Sequence, residues 1–307
     1  MRVDRGLSVF ITAIAATQRE VAPLAMPPPC GIVLLNNTDN FLVSAYSYLN
    51  ISTMQKVLQA ADWNASVSSV IAGCGGSLVN GTFVPVSGDR LGDCRAAISA
   101  FGAKGVCWES RIYVETPMEM HAAADRADAV AAAVANHVQR LGLSGVSFDW
   151  EKKGEKVQSH RHYLQVTRAL QAALHPIGAR VSSFSNNFYH DIRSFKDLGW
   201  NNDKVMCGET YIGNPGRWRE QYHRILEVPD RAKMSPTLQC DTKHGNENCS
   251  PGQIRSRTEL IAKNFTELSV FSLNGFGGGH LKVRVMHRGA LPPAALQHAL
   301  SVIPART

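Results

Sequence analysis

The sequence predicts an α/β chain folded as a (β/α)8, or TIM, barrel. Three observations predict it. Eight short apolar runs alternate with longer stretches of helical periodicity. The 307 residues suffice for two average domains or one large one of this kind, with a sizeable core. A doubly wound open sheet, the competing architecture, would be expected to carry a glycine-rich phosphate-binding turn after its first strand, and none is seen.

The elements follow in order. Residues 1–16 read as a signal peptide. "MRVDR" is a basic lead, "GLSVFITAIAAT" is an apolar run too short to span a bilayer, and Ala13-Ile14-Ala15 fits a small-x-small cleavage site. Residues 17–30 end in "PPPC" and read as a linker into a single domain at 31–307. Strands are expected near 41–46 (or 31–35), 67–72, 104–108, 145–150, 179–184, 204–209, 233–238 and 268–273. Between the third and fourth, Val130, Val134, Val138 and Leu141 make one apolar helix face. After the fourth, Tyr163, Val166, Leu170 and Leu174 make another, which Pro176 and Gly178 stop. "GRWREQYHRIL" and "QIRSRTELIAKNF" are the helices after strands six and seven. "GFGGGH" at 275–280 reads as a flexible loop, and "LPPAALQHALSVI" closes the chain with proline in its first turn.

Composition narrows the function classes. The formal charge of +7 comes from 32 basic and 25 acidic residues that are scattered along the chain, without the aromatic-interleaved patch of a nucleic-acid binder. No later run is apolar enough for a membrane span. Sequons at Asn36, Asn50, Asn64, Asn80, Asn248 and Asn264 point to a glycosylated protein, secreted or held in the secretory lumen. Seven cysteines without a CxxC pair make a structural zinc site unexpected and allow up to three bridges. Cys240–Cys249 is the first expected pair and Cys74–Cys94 the second, while Cys107 and Cys207 read as buried free thiols in strands. His160 and His162 have no acid or cysteine at ligand spacing, so no metal or other cofactor is expected. A monomer is expected.

The chemistry concentrates in "LSGVSFDWEKKG" at 143–154. Side chains of a strand alternate, so Val146, Phe148 and Trp150 face the helices while Ser147, Asp149 and Glu151 face the lumen. Glu151 falls at the C-terminal end, where such barrels place their sites. Two carboxyls in one pocket do not both ionise easily, which suits Glu151 to general-acid work near neutral pH. Ordinary glycosidase pairs flank the sugar from opposite faces, and two acids on one strand do not. The nucleophile would then come from the substrate, through a 2-acetamido carbonyl.

"SGVSFDWE" resembles the strand-four signature DGxDxDxE of glycoside hydrolase family 18, the chitinases and endo-β-N-acetylglucosaminidases. Gly145, Asp149, Trp150 and Glu151 match, and Ser144 and Ser147 stand where the first two aspartates are expected. The resemblance implies that Glu151 is the proton donor, that Asp149 orients the amide, and that an N-acetylglucosamine oligo- or polysaccharide is the partner. It implies substrate-assisted cleavage with retention. On strand six it offers Tyr211 for the acetamido group, with Glu209 where a methionine is usual. The tryptophan that floors the sugar pocket is missing, and Trp108 or Phe276 is its expected substitute. "VCWES" replaces the strand-three SxGG pattern. Ser147 can donate a hydrogen bond to Asp149 but holds no charge, so slower turnover or a shifted pH optimum is expected. Asn187 and Asn274, after strands five and eight, are read as sugar contacts. Glu109 and Glu209 end apolar strands, as site residues and helix N-caps both do. Two rivals stay open: a weakly active or inactive lectin on the same barrel, and a conventional glycosidase that pairs Glu151 with Glu209.

Overall fold

The computed structural model describes residues 42–46, 69–103, 105–114, 116–149, 157–185, 202–210, 214–228, 230–239 and 251–271. The expected signal peptide, linker, Cys240–Cys249 pair, "GFGGGH" loop and closing helix lie outside those residues.

Among the described residues, nine strands occur in the order β1 (Leu42–Tyr46), β2 (Ser69–Val79), β3 (Thr82–Pro85), β4 (Cys107–Tyr113), β5 (Gly145–Asp149), β6 (Arg180–Ser185), β7 (Lys204–Cys207), β8 (Met234–Gln239) and β9 (Glu267–Phe271). All but β3 pair in parallel with their neighbours, and a β1–β2 pairing closes them into a ring of eight. Each strand of this ring overlaps a predicted run, although β4 shares only Cys107 and Trp108 with the expected 104–108.

Helices intervene as expected: α1 (Asp89–Gly102), α2 (Pro117–Ala124), α3 (Ala127–Leu141), α4 (Val157–Leu174), α5 (Pro215–Leu226) and α6 (Pro251–Asn264). Their boundaries are chemical. Thr116 and Glu119 form a reciprocal capping box at the start of α2. Asn214 caps α5 through Oδ1, which accepts from the amides of Gly216 and Arg217. Gly142 ends α3 at φ 66°, in the left-handed region that glycine tolerates. Both predicted apolar faces, Val130 to Leu141 on α3 and Tyr163 to Leu174 on α4, are buried against the strands.

The hairpin of β2 with β3 was not expected. Its turn is Asn80-Gly81, with φ of 49° and 71°, the pairing that favours a two-residue hairpin. Asn80 is exposed there, so that sequon is accessible, whereas Nδ2 of Asn264, the atom a glycan would take, donates to the Tyr222 hydroxyl at 2.9 Å. A bulge in β2 between Ala72 and Gly76 puts Cys74 at φ 95°. A Cys74–Cys94 disulfide, the second of the two expected pairs, ties this bulge to α1. From α3, His137 Nε2 donates to the Cys74 carbonyl at 2.7 Å, while Nδ1 accepts from Arg140 at 3.3 Å. Cys207 is a buried thiol outside any disulfide, but Cys107 is disulfide-bonded, contrary to expectation.

Alternate residues of the strands fill the lumen, and its floor is ionic. Arg180 opens β6 and meets Glu109 of β4 through Nε at 2.7 Å and through Nη2. It also meets Glu267 of β9 at 3.1 and 3.2 Å. Lys204 reaches Glu267 at 3.3 Å, and Ser182 donates to Glu109 at 2.6 Å. Two cations and two anions cancel. Burial alone would lower the Arg180 pKa, but Glu109 and Glu267 outweigh it and hold the guanidinium charged. Gly145 lies between Glu109 and Arg180 in register. A Cβ there would sit 2.3 Å from the Arg180 carbonyl oxygen, so only glycine fits.

Two outcomes test this frame. Arg180→Met leaves buried Glu109 without its cation and Glu267 with Lys204 alone, and is expected to cost about 3–5 kcal/mol in urea unfolding. His137 is pulled below its ordinary pKa of 6.5, first by burial and then by Arg140, with the Cys74 carbonyl opposing. The folded state therefore holds that proton more weakly than the unfolded chain does. The contribution is complete above the unfolded pKa and erodes as pH falls below it. Unfolding free energy is expected to drop between about pH 7 and 5 more steeply in the wild type than in His137→Gln.

Candidate active site

Strand β5 carries the candidate site. Its period of two sends Val146 and Phe148 into the outer core, where the Phe148 ring meets Tyr163 of α4 edge-on at 6.0 Å. Gly145, Ser147 and Asp149 take the opposite, lumen face. Asp149 ends the strand, four residues above the floor, which is roughly 13 Å along a strand.

Asp149 is 2% exposed, and a carboxylate so buried needs a partner. Arg111 of β4 provides one, with Nη1 3.1 Å from Asp149 Oδ2. The same guanidinium lies 5.4 Å from the centre of the Tyr113 ring. In register along the ring beside Asp149 stand Phe184 and Met206, which cluster with Ile71 as an apolar wall. The upper lumen thus holds a charge pair against hydrocarbon.

Arg111 lies beyond residue 108, the expected end of the third strand, and so is not among the expected site residues. The strand continues to Tyr113, so Glu109, Arg111 and Tyr113 share the lumen face. Alternation counted from Glu109 through 113 was the signal for it. Ser147 does not fill the role expected of it: its Oγ is buried without a hydrogen-bond partner among the described residues, and so does not donate to Asp149. Trp108 is also displaced from its expected role. It lies on the outer face of β4, 2% exposed, edge-on to Phe101 at 5.0 Å, with its indole N–H donated to the Gly73 carbonyl. Strand parity forbids it a lumen contact while Glu109 points inward.

Glu109 belongs to the ionic floor rather than to a helix cap. Glu209 falls in a short 3-10 turn, Gly208–Thr210, after β7. Thr210 pins that turn, donating to the Cys207 carbonyl and accepting from the Thr237 amide. Glu151, Tyr211, Asn187, Asn274 and Phe276 lie outside the described residues. No group of three or more His, Cys, Asp or Glu suited to a metal occurs among the described residues. A cavity of about 810 Å³ lies apart from Asp149, among α2, α3 and α4, where Arg126, Arg161 and Arg168 alternate with Asp125 and Asp128.

No protein-family model matches the chain, and no curated protein matches it significantly. Solved structures do. A chitinase from Bacteroides thetaiotaomicron superposes with a TM-score of 0.66 at 11% identity, over 85% of this chain and 96% of that one. A class V chitinase from Pseudomonas fluorescens gives 0.64 at 14%, over 85% and 99%. The catalytic domain of a family GH18 chitinase from the fern Peteris ryukyuensis gives 0.60 at 12%, over 84% and 99%. The chain has the (β/α)8 fold of these chitinases.

As a core residue, Trp108 is expected to matter for folding. Trp108→Ala should lose about 3–5 kcal/mol in chemical denaturation.

Proposed function

We propose that the chain is a secreted glycoside hydrolase that cleaves β-linked N-acetylglucosamine polymers or glycans by substrate-assisted catalysis with retention. The observation that carries this reading is Asp149, a buried and charge-paired carboxylate at the C-terminal end of β5. It stands in the fold of the family 18 chitinases, with Glu151 two residues on in sequence.

The Glu151 carboxylic acid gives its proton to the glycosidic oxygen as the bond from that oxygen to C1 breaks. The carbonyl oxygen of the substrate's own 2-acetamido group attacks C1 from the opposite face and closes an oxazolinium ring. Asp149 accepts the amide N–H and stabilises the positive charge that develops. The Glu151 carboxylate then takes a proton from water, whose oxygen opens the ring at C1. Two inversions leave the configuration retained. Tyr211 would contact the acetamido group, and Asn187, Asn274 and Glu209 would line the sugar path.

The lectin alternative is favoured by one specific observation: Ser147 brings no charge and no hydrogen bond to Asp149. Product analysis with a labelled N-acetylglucosamine oligomer separates the two. The expected result is shorter oligomers of β configuration. Glu151→Gln should lower kcat by roughly 10²–10⁴-fold while oligomer binding and the melting curve stay as in the wild type. Asp149→Asn should cost nearly as much. Full activity in Glu151→Gln would end this assignment, and binding without any turnover would favour the lectin. Hydrolysis of sugars lacking the acetamido group would favour the pairing of Glu151 with Glu209.

A further inference from the structure

The geometry points to Arg111 as the positioning residue for Asp149, standing in for the second carboxyl that Ser147 does not supply. This rests on the hydrolase reading above and names a group that the strand-four motif does not contain.

The β4–β5 register sets Arg111 directly beside Ser147, and Tyr113 beside Asp149. Serine's short side chain leaves that level of the lumen to the longer Arg111. Its guanidinium reaches up to Asp149 Oδ2 at 3.1 Å. The Tyr113 ring, 5.4 Å from the guanidinium carbon, limits its drift on the other side. Arg111 is 26% exposed and Asp149 only 2%, so the pair joins a solvent-reaching cation to a buried anion. The floor groups Glu109, Glu267, Arg180 and Lys204 neutralise one another. Among the described residues, Arg111 is therefore the cation that meets Asp149.

A buried carboxylate with no opposite charge takes up a proton or turns away. In the motif this segment resembles, an acid at position 147 shares a proton with its neighbour. Here a fixed cation does the corresponding work: Asp149 stays ionised throughout the cycle, its orientation set by a charge-assisted hydrogen bond. The two arrangements are alternatives. An acid at 147 suits a chain without the arginine, and a short neutral residue at 147 suits a chain with it.

The swap tests this. Arg111→Lys, Arg111→Met and the double variant Arg111→Met/Ser147→Asp are compared with the wild type in two readouts. One is kcat and KM on a labelled N-acetylglucosamine oligomer. The other is calorimetric binding of N-acetylglucosamine-thiazoline, a stable mimic of the cyclised intermediate that needs no turnover. Arg111→Met is expected to lower kcat and thiazoline affinity each by roughly tenfold or more, with KM nearly unchanged. Arg111→Lys should fall between, since it keeps the charge and loses the planar fork. The added aspartate should restore most of both losses, which a merely structural arginine would not allow. Melting curves check folding, and Arg111→Gln carries the same comparison if the methionine variant does not fold.

A wild type that hydrolyses while Arg111→Met matches it in both readouts overturns the role of Arg111 and leaves the hydrolase reading standing. So does a double variant no better than Arg111→Met. Thiazoline binding that depends on Arg111 without any hydrolysis overturns the hydrolase reading and keeps the role of Arg111. A wild type that neither cleaves nor binds overturns both.

Discussion

A charge turned into the lumen of a closed barrel has little water to retreat to, so it must be met by another charge. That constraint organises this molecule. Closure of the ring through β1 and β2 makes every second residue of each strand a lumen residue. The chain nonetheless spends several of those positions on Glu109, Arg111, Asp149, Arg180, Lys204 and Glu267. Each finds its opposite. The unpaired alternative is costly, since a carboxylate or guanidinium stripped of solvent and partner is unfavourable by several kcal/mol.

The pairing comes in two tiers with different exposure. At the floor, Arg180 and Lys204 lie between Glu109 and Glu267 and all four are buried, which joins β4, β6, β7 and β9 across the lumen. Gly145, in register between Glu109 and Arg180, adds no side chain to that crowded level. Above it, the Arg111–Asp149 pair is open on the arginine side. A sealed tier can only support. A tier that reaches solvent can also meet a ligand, which is why the proposed chemistry is assigned to the upper one. The apolar wall of Ile71, Phe184 and Met206 keeps the local dielectric low and strengthens any field that Asp149 exerts.

The outer layer holds the lip in place by ordinary packing. Phe148 and Trp108, on the helix-facing sides of β5 and β4, are locked by edge contacts with Tyr163 and Phe101. The β2 bulge beside β4 would cost backbone strain at Cys74 if left to itself. It is secured by the disulfide to Cys94 and by the neutral imidazole of His137. Strands that cannot shift keep Arg111 and Ser147 level, and with them the reach from arginine to aspartate.

The sequence by itself determined the class of fold, the order of its strands and helices, and the face of β5 that carries Asp149. Those properties follow from local periodicity: two residues for a strand, 3.6 for a helix, each readable in a window of a dozen residues. The capped ends of α2 and α5 and the glycine stop of α3 are local for the same reason. What only the tertiary structure decided is who meets whom across the lumen. Arg180 with Glu109, and Arg111 with Asp149, are separated by 71 and 38 residues, and their contact depends on strand register. A slip of one residue would have reversed the face of every side chain involved. Trp108 shows the same dependence, since an aromatic beside an acid on a strand reads as a site residue until the acid's inward direction forces the ring outward. Cys107 shows it too, because a bridge is made in space and leaves no mark on the run of apolar residues around it.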